Sequence, residues 1–259
     1  MKKSFFVFIQ ALFIACNAFA GANTEKKTQP LVVGTTTGYA PYVSLNAKGE
    51  YEGFDIDLAR LLSEKLGREI VIQDFGSMPS LMMALKQDKA DMLIWAISIT
   101  KERLEKIEMI YYQGETLDRA PFLFWEKVPE GIESIGDLEK IPNAVLCVEA
   151  GSSQEAILKA FPKLHLKYAD KVLDSVMDLK YGKSLSTTID PGLVAGYQKK
   201  YPQLQVVNLQ IPEDQKIFGN GIAISKKNQK LASEVKEAVS ELIAEGKIAQ
   251  LEKKWNLQE

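Results

Sequence analysis

Asp91-Met92-Leu93-Ile94-Trp95-Ala96-Ile97-Ser98-Ile99-Thr100-Lys101-Glu102-Arg103 is the stretch on which the reading of this chain turns. The apolar run Met92 to Ile97, β-branched at Ile94 and Ile97, predicts a buried strand. It breaks into Ser98 and Thr100, both suited to cap a helix. A strand running into a helix start gathers free N–H groups and the positive end of the helix dipole at one place, which suits an anion. Arg103, one turn in, can fold its guanidinium back to the same place and offer a paired hydrogen bond to a carboxylate. The same residues also fit an ordinary capped helix with Arg103 in a surface ion pair.

On the N-terminal side of this stretch the elements alternate. Leu31-Val32-Val33 predicts a strand that ends in the turn-prone run Gly34 to Tyr42. A turn at Asn46 to Glu50 precedes a helix from Asp55 to Leu66, closed by Gly67, in which Phe54, Leu58, Leu61, Leu62 and Leu66 keep helical spacing. A strand Glu69 to Gln73 and a helix Ser77 to Gln87 then lead into the opening stretch. This β-α-β-α-β order points to an open α/β sheet with ligands beyond the strand ends.

Beyond Tyr112 the pattern restarts, with strands over Ala120 to Trp125 and Ala144 to Val148 and a short helix over Ile135 to Glu139 between them. The second strand meets Gly151-Ser152-Ser153-Gln154-Glu155, where Ser152 and Glu155 fit a capping box before a helix Ala156 to Phe161. A helix Val172 to Tyr181, a strand Ser186 to Ile189, a helix opened by Asp190-Pro191, a strand Ile222 to Ile224 and the helices Leu231 to Glu245 and Ile248 to Trp255 complete the chain. Two helix starts, one in each half, suggest two lobes closing on one anionic ligand.

Composition narrows the function. Met1 to Ala20 reads as a signal peptide: Lys2 and Lys3 are followed by the apolar Phe5 to Ala15 and the small-residue site Ala18-Phe19-Ala20. The rival reading is a lipoprotein acylated at Cys16; Phe13 stands where such signals usually have Leu, and the Ala-x-Ala form favours cleavage after Ala20. Gly21 to Pro30 reads as a loose polar leader. No second long apolar run exists, so the secreted protein is expected to be soluble in the periplasm. Loss of Lys2 and Lys3 takes the formal charge from −2 to −4, against nucleic-acid binding. Cys147, the cysteine left after cleavage, lies in a buried-strand pattern and reads as an inert core thiol. With His165 as the sole histidine, neither a zinc site nor a Ser/His/Asp set can be assembled.

Four motifs in order carry a resemblance: Gly53-Phe54-Asp55-Ile56-Asp57-Leu58-Ala59, Ser98-Ile99-Thr100-x-x-Arg103, Gly151-Ser152-Ser153-Gln154-Glu155, and the ending Glu245-Gly246-Lys247-Ile248 to Lys254-Trp255. Over about Leu31 to Trp255 the chain resembles the polar amino-acid-binding proteins of ABC importers, the family 3 extracellular solute-binding proteins, and looks most like the arginine- and glutamine-binding members, including chlamydial ones. The resemblance implies an α/β, two-lobe periplasmic-binding-protein fold (type II) with two crossovers: lobe 1 from residues 31–116 and 218–259, lobe 2 from 117–217, and hinges near Glu115–Asp118 and Phe218–Gly221. It implies a monomer without a cofactor that binds a free L-amino acid and presents it to an ABC permease in the inner membrane.

Carried over position by position, Arg103 and Ser98 would hold the α-carboxylate from lobe 1 and Ser153 from lobe 2, Asp190 would take the α-ammonium, and Tyr39 would cover the aliphatic part of the ligand. Trp95 and Ala96 would line the first-lobe wall. Three positions depart from the family pattern. Thr36 stands where many relatives have an Asp, Trp95 where a small residue is usual, and Met78 where a second aromatic clamp is common. Glu149 adds a charge at a lobe 2 wall position, either to receive a cationic ligand head or as a solvated loop acid. An enzyme on the same scaffold, a small-carboxylate dehydratase, is the rival, with Glu149 and Asp190 as its candidate acid or base. A ligand-sensing domain is a third reading, weakened because no transmembrane segment follows.

Overall fold

The structure, a computed structural model, describes residues 29–257; the targeting segment 1–20, Cys16 included, lies outside the described residues. The first strand, β1 (Leu31–Thr35), is followed by the small hairpin β2 (Ser44–Leu45) and β3 (Tyr51–Glu52), which flanks the expected turn. Helix α1 (Phe54–Leu66) ends at Gly67, whose left-handed φ of 59° is the conformation a glycine stop supplies. Strand β4 (Ile70–Asp74) and helix α2 (Met78–Lys86) come next. The Ser77 hydroxyl caps α2 by accepting from the Ser80 N–H.

The opening stretch departs from its expected form. Strand β5 covers only Met92–Leu93, and the chain then leaves the sheet instead of continuing to Ile97. The cause is remote in sequence: the Asp55 carboxylate accepts the Ala96 N–H at 2.6 Å, and Ala96 takes a φ of 41°. Past that kink the chain returns to the sheet, where the Gly221 N–H donates to the Ile97 carbonyl and the Ile99 N–H to that of Gly219. Thr100, not Ser98, caps helix α3 (Lys101–Lys106).

Strands β6 (Glu108–Leu117) and β7 (Arg119–Trp125) carry the chain from one sheet to the other. Helix α4 (Ile135–Leu138), strand β8 (Val145–Glu149), helix α5 (Ser153–Lys159), strand β9 (His165–Ala169), helix α6 (Val172–Lys180), strand β10 (Ser186–Thr188), helix α7 (Pro191–Lys200) and strand β11 (Leu204–Gln210) build the second body. Strand β12 (Ile217–Ile224) returns to the first sheet, and helices α8 (Gln229–Ala244) and α9 (Lys247–Lys254) pack on α1. At α5 only half of the expected capping box forms: Ser152 accepts the Glu155 N–H, while the Glu155 carboxylate takes the N–H of Gly151.

The first sheet runs β4-β1-β5-β12-β6 and the second β11-β7-β10-β8-β9. β4, β1 and β5 are parallel, so Thr35, Thr36 and Trp95 come out at the same end of the sheet, the end where ligands sit in open α/β folds. The two crossings run side by side along the β6–β12 pair, since Leu117 and Ile217 already pack with the second core while Ile110 and Ile222 belong to the first. β6 and β12 pair antiparallel, with register shifts on both sides of Asn220. Leu81, Leu93, Ile222 and Val235 sit in a core around the first sheet, and Phe122, Phe124, Leu146 and Ile157 in one within the second. The first cluster continues to Leu193 and Val176 of the second body, so apolar contact spans the space between them. Asp57 ties the ending down, accepting from Lys254 at 2.6 Å and from the Trp255 indole at 2.8 Å.

Candidate functional site

Elements of both lobes bring Arg103, Ser98, Ser153, Tyr39, Glu149 and Asp190 to one interlobe space. Arg103, on α3, donates one guanidinium N–H to the Ser98 carbonyl at 2.8 Å and another to the Gly151 carbonyl at 3.0 Å. The first bond folds the side chain back as its helical position predicts; the second crosses to the other lobe. Beside it the Ser153 hydroxyl, at the start of α5, donates to the Ser98 hydroxyl at 3.0 Å. Ser98 and Ser153, both buried, therefore meet across the cleft. A cavity of about 610 Å³, lined by Arg103, Thr100, Gly151, Ser153, Met82 and Leu85 among others, opens next to them.

Trp95 and Tyr39 form the first-lobe wall, with ring centroids 4.8 Å apart and planes 52° from parallel. Both are buried, and the Trp95 indole N–H finds no acceptor among the described residues. Such a donor is available to a ligand. Ala96 turns the chain at this wall. Thr36 is buried at the end of β1, just before Thr37, which bonds Asp74 through its N–H and its hydroxyl at 2.9 Å each. Met78, the first residue of α2, is buried and packs toward Gly151 of the opposite lobe.

From the second lobe come Glu149 and Asp190. Asp190 caps α7, accepting the Gly192 N–H at 2.8 Å, and burial lifts its carboxyl to about 6 against that bond. Glu149 ends β8 and is 6% exposed, which removes the solvated-loop reading. No hydrogen bond reaches its carboxylate among the described residues. Burial pushes it to about 8; the Arg103 charge pulls the other way and Asp190 adds to the rise. Desolvation pulls the Arg103 guanidinium down to about 10, with Tyr39, Glu102 and Glu149 opposing the fall.

The sequence reading assigned no site role to Asp55, Tyr42 or Tyr197. Asp55 is 1% exposed and holds the Tyr112 hydroxyl at 2.8 Å as well as the Ala96 N–H; burial still lifts it to about 7. Its signal was an acid at the second position of an apolar helix start. Tyr197, on α7, lies in the field of Glu149, and Tyr42 abuts the first turn of α7. Nothing local marks either tyrosine.

Two α/β bodies joined by two crossings, with a buried-facing arginine on one and buried acids on the other, are the layout of a two-lobed solute-binding protein. A family model, that of the bacterial extracellular solute-binding proteins, family 3, matches residues 31–258. The chain belongs to that family. It is 32% identical over 257 residues to the probable ABC transporter arginine-binding protein ArtJ of Chlamydia trachomatis, covering 99% of this chain and 97% of that one. It is 29% identical to the arginine-binding extracellular protein ArtP of Bacillus subtilis, covering 98% of each. Among solved structures, the substrate-binding protein of an amino acid ABC transporter aligns with a TM-score of 0.77 at 27% identity, covering 89% of this chain and all of that one. The ancestral amino acid-binding protein AncCDT-1, described as a precursor of cyclohexadienyl dehydratase, aligns with a TM-score of 0.74 at 25% identity, covering 87% of this chain and 94% of the other. Among the described residues no helix is long and apolar enough to cross a membrane.

Proposed function

We propose that this protein binds a free L-amino acid between its lobes and delivers it to an ABC import permease from the periplasm, and that it acts as a monomer after cleavage at Ala20. Arginine or another basic amino acid is the preferred ligand, glutamine the second, and glutamate or aspartate the last. The lobes are residues 31–116 with 218–259, and 117–217, with hinges near Glu115–Asp118 and Phe218–Gly221.

One observation carries the ligand order. Asp55, Glu149 and Asp190 are buried acids that act on one another through Asp190, and of the three only Glu149 feels the charge of Arg103. An amino acid's carboxylate would use up the charge of Arg103 and its ammonium would answer Asp190. Glu149, lifted to about 8 by burial, would then stay protonated, an acid with no cation to answer it. A guanidinium in the ligand satisfies Glu149 and can lie on the Tyr39 or Trp95 ring. A second carboxylate would be repelled. Arginine-binding proteins among the relatives support the same order.

The protein acts as a carrier and not as an enzyme in this reading. Asp190 is engaged as a helix cap and Asp55 by two hydrogen bonds, which leaves Glu149 as the one free acid. The AncCDT-1 likeness keeps a dehydratase in view as the alternative. Isothermal titration against the twenty amino acids, with the products examined for turnover, separates the two. Saturable binding of arginine with no product is the expected result; loss of water from a small carboxylate substrate would overturn it.

A further inference from the structure

Gly192 is the second residue of α7, after Pro191, and its backbone does not lie in the left-handed region that calls for glycine. A helix generally favours alanine over glycine, so the helix itself gives no reason for the residue. The reason is Tyr42 of the first lobe. A Cβ at position 192 would stand 2.4 Å from the Tyr42 hydroxyl oxygen, 2.9 Å from Cε2 and 3.0 Å from Cζ.

Neither side has room to yield. Tyr42 is 2% exposed and its ring meets Phe54 edge-on at 6.2 Å, with Tyr39 at 6.1 Å. α7 is held by the Asp190 cap to Gly192 and by Leu193, which is 1% exposed. Gly151, the other glycine at the lobe interface, differs. Its φ of 74° demands glycine by itself, and a Cβ there would meet Met78 and Pro79 no closer than 3.3 Å.

We propose that Gly192 is the seat on which Tyr42 lands when the lobes close, so that the absence of a side chain at 192 permits the closed state. The proposal rests on the reading that this cleft closes on an amino acid. The two residues belong to different lobes and touch in this arrangement, and on this proposal opening the cleft parts them. A methyl group at 192 therefore penalises the closed form and leaves the open form alone, and affinity falls without loss of any ligand contact. Tyr42 and Gly192 are positioning residues.

The test is Gly192→Ala, titrated with arginine and examined by small-angle scattering at saturating arginine. Arginine affinity should fall at least tenfold, and the saturated variant should keep a larger radius of gyration than the saturated parent. The ligand-free melting temperature should hold or rise, as expected for alanine in a helix. Adding Tyr42→Phe, which removes the closest atom, should recover part of the affinity. Binding within threefold of the parent would overturn the seat. So would a lowered ligand-free melting temperature, or a loss that Tyr42→Phe does not relieve. A parent that binds none of the twenty amino acids would instead overturn the amino-acid reading, and the seat with it.

Discussion

Replacing Glu149 by Gln should lower arginine affinity while leaving glutamine affinity nearly unchanged. The carboxylate is 6% exposed, has no hydrogen bond among the described residues, and is pushed to about 8 by burial. Removing one member of a buried charge pair costs about 2–5 kcal/mol. Gln keeps the shape and an acceptor oxygen, so the lower end applies, about 2 kcal/mol or about 30-fold at pH 8. The pH dependence sharpens the test. An acid whose folded value is raised above the ordinary carboxylate range holds its proton longer in the native state. Ligand-free stability is therefore complete at low pH and declines as pH rises from about 4 through about 8. A cationic ligand reverses the balance by favouring the carboxylate, so it must displace a proton below pH 8. Arginine affinity should climb with pH, by up to about tenfold per unit, between pH 6 and 8. In Glu149→Gln most of that slope should disappear, leaving the part that belongs to Asp190 near pH 6 and Asp55 near pH 7. Titration calorimetry of arginine and glutamine at pH 6, 7 and 8 reads both effects. An arginine affinity unchanged at pH 8, or an identical slope in the variant, would refute the role given to Glu149.

Arg103→Ala should cost about 2 kcal/mol or more of affinity for every amino acid tested, since the proposed clamp gives the ligand carboxylate to the guanidinium that here meets the Ser98 and Gly151 carbonyls; binding within about threefold of the parent would remove the assignment. Asp57→Ala should leave ligand affinity alone but destabilise the fold, because Lys254, the Trp255 indole and Arg60 all donate to that carboxylate. A loss of about 1–3 kcal/mol, each kcal/mol lowering Tm by about 2–4 °C at this chain length, is expected in a thermal melt. Protein taken from its native envelope should begin at Gly21 and carry no lipid, and intact mass reads this directly; a diacyl increment on a chain starting at Cys16 would reverse it.

The alternation of elements up to α2 was legible because each has a clear period and a marked end. β1 and β4 are β-rich apolar runs, and Gly67 and Ser77 stop and start their helices as those residue types do elsewhere. Strands β6, β9 and β11 went unread, and all three lie at sheet edges, where β4 was legible only through its continuous run Ile70-Val71-Ile72. An edge strand shares its surface with solvent, so its apolar alternation is diluted. β9 buries none of its residues fully, and β6 is interrupted at Gln113-Gly114 beside the register shifts opposite Asn220. Strand signals of that kind are weaker than those of central strands. Cys147 shows the reverse case: in the interior strand β8 it is 1% exposed, and burial lifts its thiol to about 12, as an inert core cysteine requires.

The site was legible where one residue acts from a local motif and illegible where two act across the fold. Arg103 folds back within its own turn, and Asp190 caps the helix that follows it, so spacing alone suggested both geometries. The kink at Ala96 has no local signature. Met92 to Ile97 is a good strand sequence, and a left-handed alanine costs about 1–2 kcal/mol, so the local preference is to continue the strand. What wins is a carboxylate 41 residues upstream that accepts the Ala96 N–H with one oxygen and the Tyr112 hydroxyl with the other. Hydrogen bonds to a charged acceptor are each worth about 1.5–3 kcal/mol, enough to offset the strain. The kink takes Trp95 out of the strand and sets its ring beside Tyr39 in the cleft. Asp55 thus acts on the Tyr39–Trp95 wall through backbone geometry, which accounts for a buried acid in a helix whose other buried residues, Phe54, Leu58 and Leu62 among them, are mostly apolar.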